Sequence, residues 1–203
     1  RKPEPPAKSA FQATAKSIAV LPFTNMSDDK ESGFFADGVH EDILTSLYLI
    51  PDLKVTSRTS VAQYRDTKKT MRQIGQELGV TYILEGSVRR DGKTVRVTSQ
   101  LIRAASDEHL WAKRYDKELK DLFAIQSELA QAIAEELQAK LSPQAKKLLE
   151  RQPTENPAAY DLFLKAREIR NSGGATVRAG REKQESLLQA AVELDPKFAF
   201  AWA

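Results

Sequence analysis

Val80-Thr81-Tyr82-Ile83-Leu84-Glu85-Gly86-Ser87-Val88-Arg89-Arg90-Asp91-Gly92, continuing through Lys93 to Leu101, is the stretch on which the fold turns. Val80, Tyr82, Leu84, Gly86 and Val88 alternate with Thr81, Ile83, Glu85, Ser87 and Arg89. A period of two lays one set on each face of a strand. Asp91-Gly92 reads as a two-residue hairpin turn, because a type I′ turn needs positive φ at both central positions. That turn predicts a register in which Arg90 faces Lys93, Val88 faces Val95, Gly86 faces Val97 and Tyr82 faces Leu101.

A second turn at Ser106-Asp107 predicts a third strand, His109 to Tyr115, with Leu110 opposite Arg103 and Ala112 opposite Leu101. On the reverse face Thr81, Ile102 and Trp111 form one row, and Glu85, Thr98 and Tyr115 another. Such an antiparallel meander packs its Val and Leu face under helices and leaves the other partly wet.

Upstream, Ser17 to Phe23 reads as a buried strand closed by Pro22, which lacks the donor that a central ladder needs. From Glu31 to Leu49, Phe35, Val39, Ile43, Leu47 and Ile50 recur at helical spacing with Leu44 alongside, and Pro51 stops the helix. Leu53 to Ser57 is a second strand, so strand, helix and strand form a parallel crossover. Two short helices follow, Ser60–Tyr64 and Met71–Leu78, the latter closed by Gly79 in the left-handed region.

Downstream, Leu122, Ile125, Leu129, Ile133, Leu137 and Leu141 predict one helix from Asp121 to the stop at Pro143. Residues 144–151 continue as a short helix, and 153–157 break it. Two amphipathic segments, 158–171 and 182–194, flank Gly173-Gly174 and a basic loop running to Arg181. Residues 1–16, with Pro3, Pro5 and Pro6, read as an extended linker.

Composition narrows the function. Apolar residues make up 41% of the 203, enough for a core. The 31 basic residues face 28 acidic ones, a net charge of +3 and not the clustered excess of a nucleic-acid binder. There are no cysteines, which removes disulfides, thiolate metal sites and cysteine nucleophiles. No apolar run approaches the ~18 residues that span a bilayer. The chain opens on Arg1 and closes on Ala203 inside an aromatic-rich helical pattern, so we read it as part of a longer polypeptide.

Candidate chemistry is sparse. Asp37, Glu41 and Asp42 suggest paired carboxylates, but acids in the first turns of a solvated helix look the same. Free backbone N–H groups near Phe34–Gly38 would suit an anion, which makes Phe35, Asp37, Gly38 and Glu41 the candidate ligand site. Two histidines, His40 and His109, exclude a histidine-rich metal centre, and we expect no metal and no cofactor. No Gly-Lys-Ser/Thr loop or G-x-S-x-G context is present, so no catalytic residue is assigned. Arg89, Arg90, Lys93 and Arg96 make the first hairpin tip basic; they would meet an anionic partner or simply keep the hairpin soluble. Trp111 and Tyr115, with Ile102 in the same array, would either anchor a partner or lie under another helix.

Several stretches together resemble the TolB amino-terminal-like domain: Ser17–Phe23, Gly33–Ile43, Tyr82–Arg90, Glu108–Asp116 and Asp121–Gln126. The resemblance covers about residues 17–142 and implies a mixed-sheet α/β fold of anticodon-binding-like topology without catalytic activity. In that family the domain stands between an output domain, such as a winged helix, a kinase or an adenylate cyclase, and tetratricopeptide repeats. Ser106-Asp107 departs from the family's Thr-Gly turn, although Asp tolerates left-handed backbone.

Leu188, Ala191 and Pro196 have the spacing of a tetratricopeptide repeat's second half, and Trp202 stands where the next repeat places its aromatic. The expected layout is therefore 1–16 linker, 17–142 α/β domain, 143–157 connection and 158–203 an all-α repeat extension. The expected function is a regulatory or sensor module that meets protein partners through its repeats, Leu188 and Trp202 among the contacts. A small-molecule domain for an anionic ligand or nucleotide is the alternative. The resemblance places the chain in the bacterial periplasm, with the cytoplasm as alternative. It implies membrane attachment only through a span outside these residues; the charge balance argues against nucleic acid, and an exposed repeat end would invite homo-oligomers.

Overall fold

A computed structural model describes residues 14–28 and 32–202. Its centre is a six-stranded mixed sheet in the order β3-β1-β4-β5-β6, with β2 beside β4. β1 (Thr14–Val20), β3 (Lys54–Val55), β2 (Thr24–Asn25) and β4 (Val80–Asp91) run parallel; β5 (Thr94–Arg103) and β6 (Glu108–Glu118) complete an antiparallel meander. The strand–helix–strand crossover is present as β1, α1 (Gly33–Tyr48) and β3. β1 begins at Thr14, so residues 14–16 belong to the sheet and not to a linker; the rest of that expected linker lies outside the described residues.

β1 is apolar on both faces because both are covered. Ile18 and Val20 join the larger core, while Ala19 and Leu21 join a smaller one. The larger core packs α1 and α4 (Leu122–Glu136) on one face, with Phe35, Val39, Ile43 and Leu47 almost wholly buried. On the other face α2 (Arg58–Ala62) and α3 (Met71–Leu78) bring Val61 and Ile74 against Val80 and Ile83. α3 starts on a capping box, with Thr70 and Gln73 exchanging side chain and backbone, and ends on Gly79 at φ 65°.

The hairpin register differs from expectation by two residues. Val88 pairs with Val97, Leu84 with Leu101 and Asp91 with Thr94. The turn is Gly92-Lys93, with φ +55° at Gly92 and not at Lys93, so glycine takes the first central position as in a II′ turn. A shift of two leaves every side chain on its predicted face, which is why the hydrophobic pattern did not reveal it.

The third strand departs further. Ile102 pairs with His109 and Leu101 with Trp111, leaving Leu110 as the extra residue of a β-bulge. Asp107 takes φ +59° in the preceding turn, as expected of Asp there. The bulge puts Trp111 and Tyr115 opposite Leu101 and Val97, on the face under α4, and not on the wet face.

α4 stops at Glu136, short of Pro143, although Leu141 continues the stripe. Gln138 turns left-handed at φ +50°; its N–H bonds the Glu135 carbonyl, and the Ala139 N–H bonds the Ala134 carbonyl. That is a Schellman motif with glutamine where glycine is usual. Lys16 donates to the Gln138 carbonyl at 2.7 Å, and the Lys140 N–H donates to Asp52 at 2.9 Å. After α5 (Pro143–Leu149), α6 (Pro157–Asn171) and α7 (Arg178–Leu194) pack together, and a single turn, α8 (Ala199–Trp202), follows. α7 begins at Arg178, so the expected basic loop is largely helix. Among the described residues no helix is long and apolar enough to cross a membrane.

Gln138→Gly removes the Cβ from a left-handed position and keeps the carbonyl that Lys16 binds. The variant should be more stable by about 1 kcal/mol, read as a higher urea midpoint at unchanged slope.

Candidate functional site

The most unusual side chain in the molecule is a buried arginine. Tyr160, Leu164 and Arg167 advance by four and three along α6, so Arg167 lies on that helix's apolar stripe and is only 8% exposed. Asn156 caps α6, accepting from the Ala158 and Ala159 N–H groups, and Pro157 fills its first turn. α6 is thereby aimed along the outer side of α1.

Gly38 permits the approach. A Cβ there would lie 2.7 Å from Leu164 Cδ2 and 3.0 Å from Arg167 Nη2. Arg167 Nη2 instead donates to the Gly38 carbonyl at 2.8 Å, and Nη1 donates to Asp42 Oδ1 at 2.7 Å. Its Nε lies 3.5 Å from Glu41, and its guanidinium stacks 5.3 Å from the Phe163 ring centre. Asp42 also accepts from the Tyr160 hydroxyl and from Gln126 Nε2 at 3.2 Å. Every polar atom that the guanidinium touches is thus an acceptor, which a buried cation requires.

Burial is the largest influence on Arg167 and opposes its charge, but Asp42, Tyr160 and Glu41 outweigh it and hold the group above its ordinary pKa. Burial, and then Asp42, push the Tyr160 hydroxyl well above the usual phenol range, so it remains a donor. A second arginine ties the sheet to the same helix. Arg90 of β4 donates to Asp161 at 2.7 Å and lies over the Phe35 ring at 5.2 Å.

Of the candidate ligand residues, Phe35 is core, Asp37 pairs with Arg65, Gly38 lies beneath Leu164, and Glu41 meets Arg167, Arg58 at 3.8 Å and Asn171 at 3.0 Å. Of the four, Gly38 and Glu41 lie against α6, whereas Asp37 turns to Arg65 and Phe35 to the core. Nearby, His40 Nε2 donates to the Val20 carbonyl at 2.9 Å. Glu168, half-buried, is raised by burial and then by Asp37.

The candidate partner residues are scattered. Ile102 is buried on the face opposite Trp111 and Tyr115, and the Trp111 indole nitrogen is itself buried with no hydrogen-bond partner among the described residues. Leu188 packs partly against the core, whereas Trp202 is 67% exposed, its indole donating to the Pro196 carbonyl. Phe200 and Leu194 are exposed near it in sequence. Sequence reasoning considered Asp42 and overlooked Arg167 and Tyr160; the one available signal was an arginine in register with Tyr160 and Leu164. No group of three or more His, Asp or Glu among the described residues is placed to hold a metal ion.

The model of the second domain of HilA/YgeH-like transcriptional regulators matches residues 14–136, from the first residue of β1 to the last of α4. A relative from Rhizobium meliloti (strain 1021), named "Putative adenylate cyclase 3", is 40% identical over 206 residues. The match takes in 98% of this chain, which spans 34% of that relative's length. Among solved structures, TolB from Acinetobacter baumannii aligns at 16% identity over 64% of this chain and 30% of that one, with a TM-score of 0.46. The C-terminal domain of LpoB from Salmonella enterica aligns at 13% identity over 52% and 84%, with a TM-score of 0.41.

Two outcomes test the joint. Asp42→Ala leaves a buried guanidinium short of its main counter-ion and should cost about 3–5 kcal/mol in urea unfolding. Adding Arg167→Met should recover much of that, because the cation is then gone too. The second test is pH. Burial is the main cause that lowers the folded-state pKa of His40 below its unfolded value near 6.5. The unfolded chain therefore takes up the proton first. The stabilisation present above about pH 6.5 is lost progressively as pH falls through and below that value. His40→Asn should flatten this part of a melting-temperature profile measured between pH 7.5 and 5.

Proposed function

Because this chain belongs to the family of HilA/YgeH-like transcriptional regulator second domains, we propose that it is a non-catalytic relay within a longer signalling protein, meeting protein partners through its helices. The observation that carries this reading is the Arg167 joint, which ties α6 to the family domain through Gly38, Glu41 and Asp42. A change imposed on the helices is then felt at α1 and at the sheet.

We further read α6 and α7 as the first tetratricopeptide-type repeat and α8 as the start of the next, with the α/β domain beginning at Thr14 and reaching to 142 and a connection at 143–157. Leu188, Ala191, Pro196 and Trp202 support that reading by spacing, as does the exposure of Phe200 and Trp202. The anticodon-binding-like topology and the periplasmic location rest on the family resemblance alone. The relative's name makes an adenylate cyclase one candidate for the attached output domain.

The test is made in the full-length protein. Asp42→Leu with Arg167→Met removes both charges at similar volume. It should change the response of the attached output domain to the partner while leaving that domain's isolated activity unaltered. An unchanged response in a folded variant would remove the relay. A saturable thermal shift with a nucleotide or anionic metabolite, lost on Asp37→Ala, would favour the small-molecule reading instead.

A further inference from the structure

The two faces of the sheet are finished differently. α1 and α4 cover one along its length, but α2 and α3 cover the other only as far as Ile83. Beyond that point β4 and β5 present Glu85 directly opposite Gln100, and Ser87 directly opposite Thr98. A cavity of about 360 Å³ lies in the step where the helix layer ends. These four side chains are its floor. The connection from α2 to α3 is one wall, and the loop after β1 is the other. That volume has room for about a dozen waters.

The hydrogen-bonding capacity of the floor is unspent. Among the described residues, no hydrogen bond or ion pair engages the side chains of Glu85, Ser87, Thr98 or Gln100, although each is half-buried. Several half-buried carboxylates elsewhere are answered: Asp161 by Arg90, Asp37 by Arg65, Glu41 by Arg167. Glu85 has no such partner. Arg89, further along β4, turns to Asp28, and Lys69 on the wall spends its ammonium on both oxygens of Glu77 at 2.8 Å. The Tyr64 hydroxyl also donates to Glu77, at 2.7 Å. What remains uncompensated in the cavity is negative: Glu85 on the floor and Asp66 on the wall, the latter held at φ +54°. Met26 and Met71 add apolar surface to the lining.

We propose that this step binds an alkylammonium group, whether of a free amine or of a lysine side chain, with Glu85 as the anchoring carboxylate. Asp66 is the second counter-charge. The hydroxyls of Ser87 and Thr98 and the amide oxygen of Gln100 offer acceptors for whichever ammonium proton the carboxylates leave, and the methylene chain lies on Met26 and Met71. An anion is repelled by both carboxylates. A neutral polyol would use the hydroxyls and the amide but leave the charge unanswered, and a charge-assisted bond is the stronger contribution. The site is separate from the Arg167 joint and does not depend on the relay reading.

The experiment is a titration of the ¹⁵N-labelled chain with cadaverine and, in a second arm, with lysine capped at both its amino and carboxyl groups. We expect saturable shifts at the amides of Glu85, Ser87, Thr98 and Gln100; the tighter arm identifies the source of the amine. Glu85→Gln should weaken binding about tenfold or more. Asp66→Asn should weaken it less, with asparagine tolerating the same backbone. Both variants should otherwise keep the parent spectrum, because neither side chain makes a bond within the protein. Glu108→Gln, whose parent carboxylate pairs with Arg103, should bind as the parent does. Absence of saturation in both arms, a response unchanged in Glu85→Gln, or equal binding of glucose would overturn the proposal.

Discussion

A guanidinium buried between two helices governs how the molecule is put together. Desolvating a cation costs several kcal/mol, and that cost is met here only by a complete set of acceptors: Asp42, Glu41 and the carbonyl of Gly38. Gly38 contributes by having no side chain, since a methyl group would occupy the space of Leu164 and the arginine. Displacing α6 along α1 by even one residue would strip those acceptors away. The joint therefore selects one register, which apolar packing alone does less sharply. α7 follows because it packs on α6, and because Thr154 donates to Asp195 and Asn156 to the Leu194 carbonyl, closing the helical pair.

The sheet prepares the place where this happens. Its parallel strands are clad in apolar side chains on both faces, so α1 is held from below along its whole buried stripe. A rigid α1 fixes the spacing of Gly38, Glu41 and Asp42 on its other flank. The meander that follows is covered on one side only, and there the polar residues of β4 and β5 come to the surface. Cladding and exposure thus meet within single strands: Ile83 lies under α3, while Glu85, two residues on, lies in a cavity.

What could be read from the chain follows from the periods of its elements. Alternation and four-residue spacing betray which side chains share a face, and the strands other than the two-residue β2, with α1, α3 and α6, were legible for that reason. Pairing partners were not, because a slip of two residues preserves every face; choosing between Asp91-Gly92 and Gly92-Lys93 depends on one backbone angle, the φ of Asp91, which a type I′ turn would need positive and which is not. The bulge at Leu110 was hidden for the opposite reason. It inverts the faces of β6, yet neither Leu110 nor its neighbours break the composition of a strand. The early end of α4 was equally silent, since Leu141 continues a stripe that Gln138 has already interrupted. Arg167 escaped notice because a charge on an apolar stripe declares itself only when the opposing helix is known.

The bulge has a further meaning for how such a chain changes over time. Removing Leu110 would leave Leu101 opposite Trp111 and Ile102 opposite His109, with every downstream pair intact. Removing a residue between Trp111 and Lys117 would instead turn part of the strand inside out, pushing aromatics into water and charges under α4. Length can therefore drift by one at a single position of β6 without turning the rest of the strand over. An insertion or deletion anywhere else in that strand must be matched by a second event before the protein can fold.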